Sequence, residues 1–209
     1  TTSVSTWNNV YLMNLNRPLS LTLMQSINET FPLLNELCIE HFAELDDDLL
    51  TNKELIMPKI HTIQIECASI NYDVRNIKCF LQLSSNLRTL IILNNFLYKL
   101  LNDIELHSVF NRIQYLNIID TFDLNYLHKL LICFTSVKTL KLQLNRNDPI
   151  VKSIKQIIVF MKYLENLNVR LLPIIDDTMK NLIQEEILNV SELQIFKLDL
   201  QPDYFNFWK

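Results

Sequence analysis

No glycine occurs anywhere in the 209 residues. Average usage of about 7% would supply roughly 15. Phosphate-cradling loops of the Walker and dinucleotide types need glycines, because a residue without a Cβ lets backbone N–H groups approach phosphate closely. An EF-hand needs one at its sharp turn, and the hydrolase nucleophile elbow needs two beside its serine. All are excluded in their usual form. Turns that require positive φ must use another residue. The 23 asparagines are expected to supply them, because Asn tolerates the left-handed region best after Gly.

Cysteine is scarce too. Cys38, Cys67, Cys79 and Cys133 form no C-x-x-C pair and no zinc spacing. Cys79 and Cys133 lie within apolar stretches, where a free thiol behaves as a small hydrophobe. The expectation is reduced, buried thiols in a cytoplasmic or nuclear protein. The four histidines, His41, His61, His107 and His128, are dispersed, and each reads as a surface or structural residue. The densest acid cluster, Glu44 with Asp46, Asp47 and Asp48, lacks the loop spacing of a calcium or magnesium site. It reads as a solvated loop or an acidic helix start. No catalytic residue, cofactor or metal is expected, and the chain is not expected to be an enzyme. No apolar run approaches the ~20 residues of a membrane span. Net charge −4 and a pI near 5.6 argue against nucleic acid, which demands a basic footprint.

What the chain has in excess is Leu (38) and Ile (24), which excludes a disordered polypeptide. These residues recur in one pattern, apolar-x-x-apolar-x-apolar. It runs Leu34, Leu37, Ile39; then Ile60, Ile63, Ile65; Leu87, Leu90, Ile92; and Ile113, Leu116, Ile118. Val137, Leu140, Leu142 follow, then Leu164, Leu167, Val169, and finally Leu193, Phe196, Leu198. The spacings are 26, 27, 26, 24, 27 and 29 residues. A weaker copy, Val10, Met13 and Leu15, precedes them by 24. Between copies the apolar period becomes helical, as in Val74, Ile77, Phe80 and Leu81, in Leu124, Leu127, Leu130, Leu131 and Phe134, and in Ile154, Ile157, Ile158 and Met161. Asp123 and Asp177-Thr178 stand where helices should be capped. Each unit is therefore expected to be strand, loop, helix and return, and stacked units would share a core that one unit cannot bury alone.

The pattern resembles the leucine-rich-repeat consensus L-x-x-L-x-L-x-x-N/C over roughly residues 31–201. The family's ladder position is Asn only at Asn95 and Asn145; elsewhere it is Phe42, Ala68, Thr121, Leu172 and Gln201, so an uneven array is expected. The resemblance implies an α/β solenoid, with a curved parallel sheet on the concave side and helices on the convex side. Its irregularity is similar to the repeat region of F-box/leucine-rich-repeat substrate receptors. That implies substrate recognition in an F-box-type ubiquitin ligase, with an adaptor reached through a segment outside this chain. The alternatives are a scaffold or inhibitor module unrelated to ubiquitin and, remotely, an enzyme with an acidic site on the concave face.

Strand alternation turns the apolar positions inward and the x positions outward. The expected partner-binding face comprises Glu36, Glu40, Glu66, Arg88, Ile91, Leu93, Tyr115, Asn117, Lys138, Lys141 and Arg170. It is polarised: residues 29–73 carry ten acids and two bases, residues 127–170 eight bases and two acids. Apolar anchors between charged ends suit a protein or peptide partner. Residues 1–30 are expected to form an N-terminal cap with a weak first repeat, 31–201 the repeat array, and aromatic residues 202–209 a cap over its end.

Overall fold

The computed structural model describes residues 9–40, 45–51, 55–65, 72–172, 177–190, 196–201 and 204–209. The chain divides into two compact units, Thr1–Val109 and Phe110–Lys209. Both are α/β, with a mainly parallel sheet and helices between the strands.

The first unit contains β1 (Leu12–Leu15), α1 (Leu21–Thr30), β2 (Glu36–Ile39), α2 (Asp47–Thr51), β3 (Thr62–Ile65), α3 (Val74–Leu83), β4 (Thr89–Leu93) and α4 (Asn94–Leu100). Its strands are parallel in the order β1-β2-β3-β4. Register follows the repeat: Met13 pairs with Leu37, Leu37 with Ile63, and Ile63 with Leu90. The weak copy at Val10 to Leu15 is therefore a true rung. α5 (His107–Phe110) lies where the chain passes to the second unit.

The second unit contains β5 (Tyr115–Thr121), α6 (Leu127–Cys133), β6 (Thr139–Asn145), α7 (Ile150–Phe160), β7 (Asn166–Leu172), α8 (Asp177–Leu188), β8 (Lys197–Leu200) and β9 (Tyr204–Trp208). Here too the motif residues fall in register, Leu116 with Leu140 and Leu140 with Leu167. In the six copies from Leu34 to Val169 every apolar motif position is buried, none more than 2% exposed. Each such side chain stabilises the fold by about 2 kcal/mol relative to solvent exposure.

The order of the last strands departs from expectation. The final motif copy does not lie beside β7. The chain turns after β8, and β9 enters between the two, antiparallel to both. Residues 204–208 are thus a rung of the sheet rather than a cover laid over its end. The physical reason is their alternation. Phe205 and Phe207, both 1% exposed, pair with Val169 and Leu167, continuing the inward rows that a further repeat would otherwise supply.

Helices form where the 3.6-residue stripes lie. Ile77, Phe80 and Leu81 of α3 are buried, as are Ile154, Ile157 and Ile158 of α7. Asp73 accepts the Arg75 N–H at 2.9 Å, and Asp123 accepts the Asn125 N–H at 2.9 Å. These aspartates satisfy donors that have no intrahelical partner.

The described asparagines do not supply left-handed turns. Among the described residues the one positive φ belongs to Asp120, at 71°. The chain reverses instead through a recurring turn in which the first motif residue donates its N–H to a carbonyl three residues earlier. Leu34 bonds to Phe31, Ile60 to Met57, Leu87 to Ser84, Ile113 to Phe110 and Leu164 to Met161, at 3.0–3.2 Å. Helix ends at Phe31, Ser84, Phe134 and Met161 keep φ between −86° and −113°, where no glycine is needed. Several Asn amides bridge successive repeats. Asn86 Nδ2 donates to the Pro58 carbonyl at 2.8 Å, and Thr135 Oγ1 donates to Asn111 Oδ1 at 3.0 Å. Neither ladder position builds a ladder. Asn95 Oδ1 accepts the adjacent Phe96 N–H, and the exposed Asn145 accepts from Asn147 N–H.

Candidate docking face

The strands bury one face and leave the other open, and the open face must be described unit by unit. In the first unit the outward register rows are Glu36–Thr62–Thr89 and Cys38–Gln64–Ile91. Glu36, Thr62, Gln64, Thr89, Ile91 and Leu93 are half-buried. Cys38 occupies an outward position yet is only 5% exposed, so it offers a partner almost nothing. Glu40 lies just beyond β2, with its N–H on the Leu15 carbonyl at 2.9 Å. Arg88 is exposed at the entrance to β4, and Glu66 lies outside the described residues.

In the second unit one row runs Tyr115–Thr139–Asn166–Trp208–Lys197, and the next Asn117–Lys141–Asn168–Asn206–Asp199. A third joins Gln143, Arg170 and Tyr204. Lys141 and Arg170 are exposed. The Lys141 Nζ stands 5.5 Å from the centre of the Tyr115 ring, a cation–π distance that restrains the ammonium. Lys138, expected as a cation on this face, is instead paired with Glu165 at 2.9 Å across one repeat.

β5 is irregular next to this face. The five residues from Asn117 to Thr121 are matched by three on β6, from Lys141 to Gln143. The extra residues form a bulge at Asp120, the residue with φ 71°, and Phe122 N–H closes it onto the Gln143 carbonyl at 2.7 Å. Ile119 is half-buried and Asp120 exposed. A bulge re-aims side chains that regular pleating would stack.

The expected docking set therefore divides. Glu36, Arg88, Ile91 and Leu93 belong to the first unit, while Tyr115, Asn117, Lys141 and Arg170 come together in the second. Tyr204, Asn206 and Trp208 join the second set because β9 lies between β7 and β8. The signal for them was the alternation Tyr204-Phe205-Asn206-Phe207-Trp208, which has the strand period of two.

Cys38, Cys79 and Cys133 are free and buried. Burial pushes the Cys79 thiol up to about 11 and raises Cys133 in the same direction. Buried thiols of this kind are poor nucleophiles at neutral pH. Elsewhere Lys78 bridges Asp103 at 2.7 Å and Glu105 at 2.6 Å. These bonds raise the lysine and hold the Glu105 carboxyl below its usual range. Among the described residues no cluster of three His, Cys, Asp or Glu converges as metal ligands would. None of the described helices is long and apolar enough to cross a membrane. No protein-family model matches the chain, and no curated protein matches its sequence.

Proposed function

We propose that the chain is a leucine-rich-repeat-type solenoid whose role is to bind another protein through the open faces of its strands. The observation that carries this reading is the repeated register. In each unit successive motif copies bury their apolar residues in common rows, and this leaves outward residues of neighbouring repeats side by side at ~4.8 Å. The first unit's face carries half-buried Ile91 and Leu93 beside Glu36 and Arg88, and the second unit's face carries half-buried Tyr115 beside Lys141 and Arg170, in each case the combination from which interfaces draw affinity and register.

Within that reading we place the protein as the substrate-recognition part of an F-box-type ubiquitin ligase in the cytoplasm or nucleus. Support for the ligase role is the resemblance of the repeat pattern. Support for the compartment is the three free thiols, which persist most readily where thiols are kept reduced. A general scaffold or inhibitor module would use the same face without ligase partners.

Site-specific photo-cross-linking in cell extract tests the binding reading. A photoreactive residue replaces Thr62 or Asn117 on the strand faces, or Gln156 on α7. Adducts are expected from the first two. Adducts confined to Gln156 would remove the strand-face reading. Co-purification of a ubiquitin-ligase adaptor with the full-length protein is expected for the ligase role, and binding without it favours the scaffold.

A further inference from the structure

The open sheet face of the second unit has a composition narrower than general protein binding requires. Three of its five positions in the central row are asparagines, Asn117, Asn168 and Asn206, with Lys141 and Asp199 as the others. Asn166 and Gln143 add amides in the flanking rows. A side-chain amide both donates and accepts, as a peptide main chain does, so a row of them can satisfy an extended backbone whose side chains vary.

The charge on this face is lopsided. Lys141, Arg170 and Lys197 are all exposed. The acid among them, Asp199, accepts the Gln201 amide at 3.0 Å. That bond leaves the Asp199 charge in place, so the rows hold three cations against one acid, with exposed Asp120 on the neighbouring bulge of β5. Tyr115, Tyr204 and Trp208, all half-buried, give flat surfaces beside the cations. The five strands from β5 to β8 span about 19 Å at ~4.8 Å each, the length of about six extended residues.

We propose that this face binds an acidic peptide segment in extended form, laid across the strands. Its carboxylates meet Lys141 and Arg170, and its main chain meets Asn117, Asn168 and Asn206. The inference rests on the strand-face reading above and names the partner's chemistry. A single-stranded nucleic acid would also find cations and rings. Three cations on an otherwise acidic chain make a weak phosphate footprint, whereas the amide row has a direct use in holding peptide groups.

The test is selection of random displayed peptides of about twelve residues on the immobilised full chain, followed by titration of the enriched sequences as synthetic labelled peptides. Enrichment of Asp and Glu is expected. Combined Lys141→Glu and Arg170→Glu should weaken those peptides at least about tenfold, and Lys-for-Glu exchange in the peptide should restore part of the loss. Asn168→Ala should weaken acidic peptides without changing their charge preference. Circular dichroism melts confirm that each variant folds. Failure to enrich any acidic sequence overturns the proposal, as does acidic binding that ignores both charge reversals. Neutral or basic peptides that depend on Asn168 would overturn the acidic assignment and leave the strand-face reading standing. Binding that responds to Gln156→Ala on α7 and to no strand-face variant would overturn both. Tighter binding of an oligothymidine than of any selected peptide would reassign the face to nucleic acid.

Discussion

Asn76 illustrates how single residues hold this glycine-free chain. It is 4% exposed within α3, and its Oδ1 accepts the Leu45 N–H at 3.3 Å from a segment 31 residues earlier. Asn76→Ala leaves that N–H buried without its acceptor, at a cost of about 1–3 kcal/mol. Urea denaturation should register a lower midpoint with unchanged slope, and an unchanged midpoint would mean that the bond contributes nothing net. Cys79 makes a second residue-scale prediction. Its thiol, 3.6 Å from the Leu49 carbonyl, moves from an ordinary 9.0 to about 11 on folding. The folded chain binds this proton more tightly than the unfolded one. The stability it contributes is therefore whole below pH 9 and is lost as pH rises toward 11. Thermal melts across that window should show a shallower alkaline decline for Cys79→Ala than for the parent. Equal declines would place the thiol in contact with water.

At the scale of elements, the strands carry the fold and the helices close it. Leu140 lies in the middle of three paired motif residues and is fully buried. Leu140→Asp buries an unpaired charge and is expected to abolish the cooperative melt, whereas Leu140→Ala costs about 2–5 kcal/mol. The last strand is the more discriminating case. Removing residues 202–209 strips the pairing from one edge of β7 and from β8, and two exposed strand edges invite association. The truncated chain should aggregate or lose stability, as read by light scattering and thermal melting. A monomeric product with the parent's melting temperature would show that β9 is dispensable. The inward positions of β2 to β7 were legible because each is one of three apolar residues at constant spacing. β9 was not, because its Phe205 and Phe207 carry the strand period but lack the motif's leading residue. Its place between β7 and β8 depends on an unpaired edge that no local pattern announces.

Across the molecule, charge separates by unit rather than by residue. The acidic stretch 29–73 falls in the first unit and the basic stretch 127–170 in the second. Reversing both Lys141 and Arg170 should abolish capture of a cross-linked partner while moving stability by less than about 0.5 kcal/mol, because both side chains are exposed. Survival of capture would reduce the basic surface to solvated charge. Lys138→Glu is the weaker test, since that lysine already faces Glu165.

From composition and spacing alone follow the parallel rungs, the buried motif rows, the capping Asp123 and the exclusion of glycine-dependent phosphate loops. Each depends on residues close in sequence, whose periodicity dictates which side meets water. Tertiary structure decided the rest. It placed β9 inside the sheet, paired Lys138 with Glu165, used Asn86 and Asn111 as bridges between repeats rather than as backbone reversals, and set Asp120 on a bulge of β5. Those outcomes depend on which groups a neighbouring repeat leaves unsatisfied, and that is known only once the repeats lie side by side.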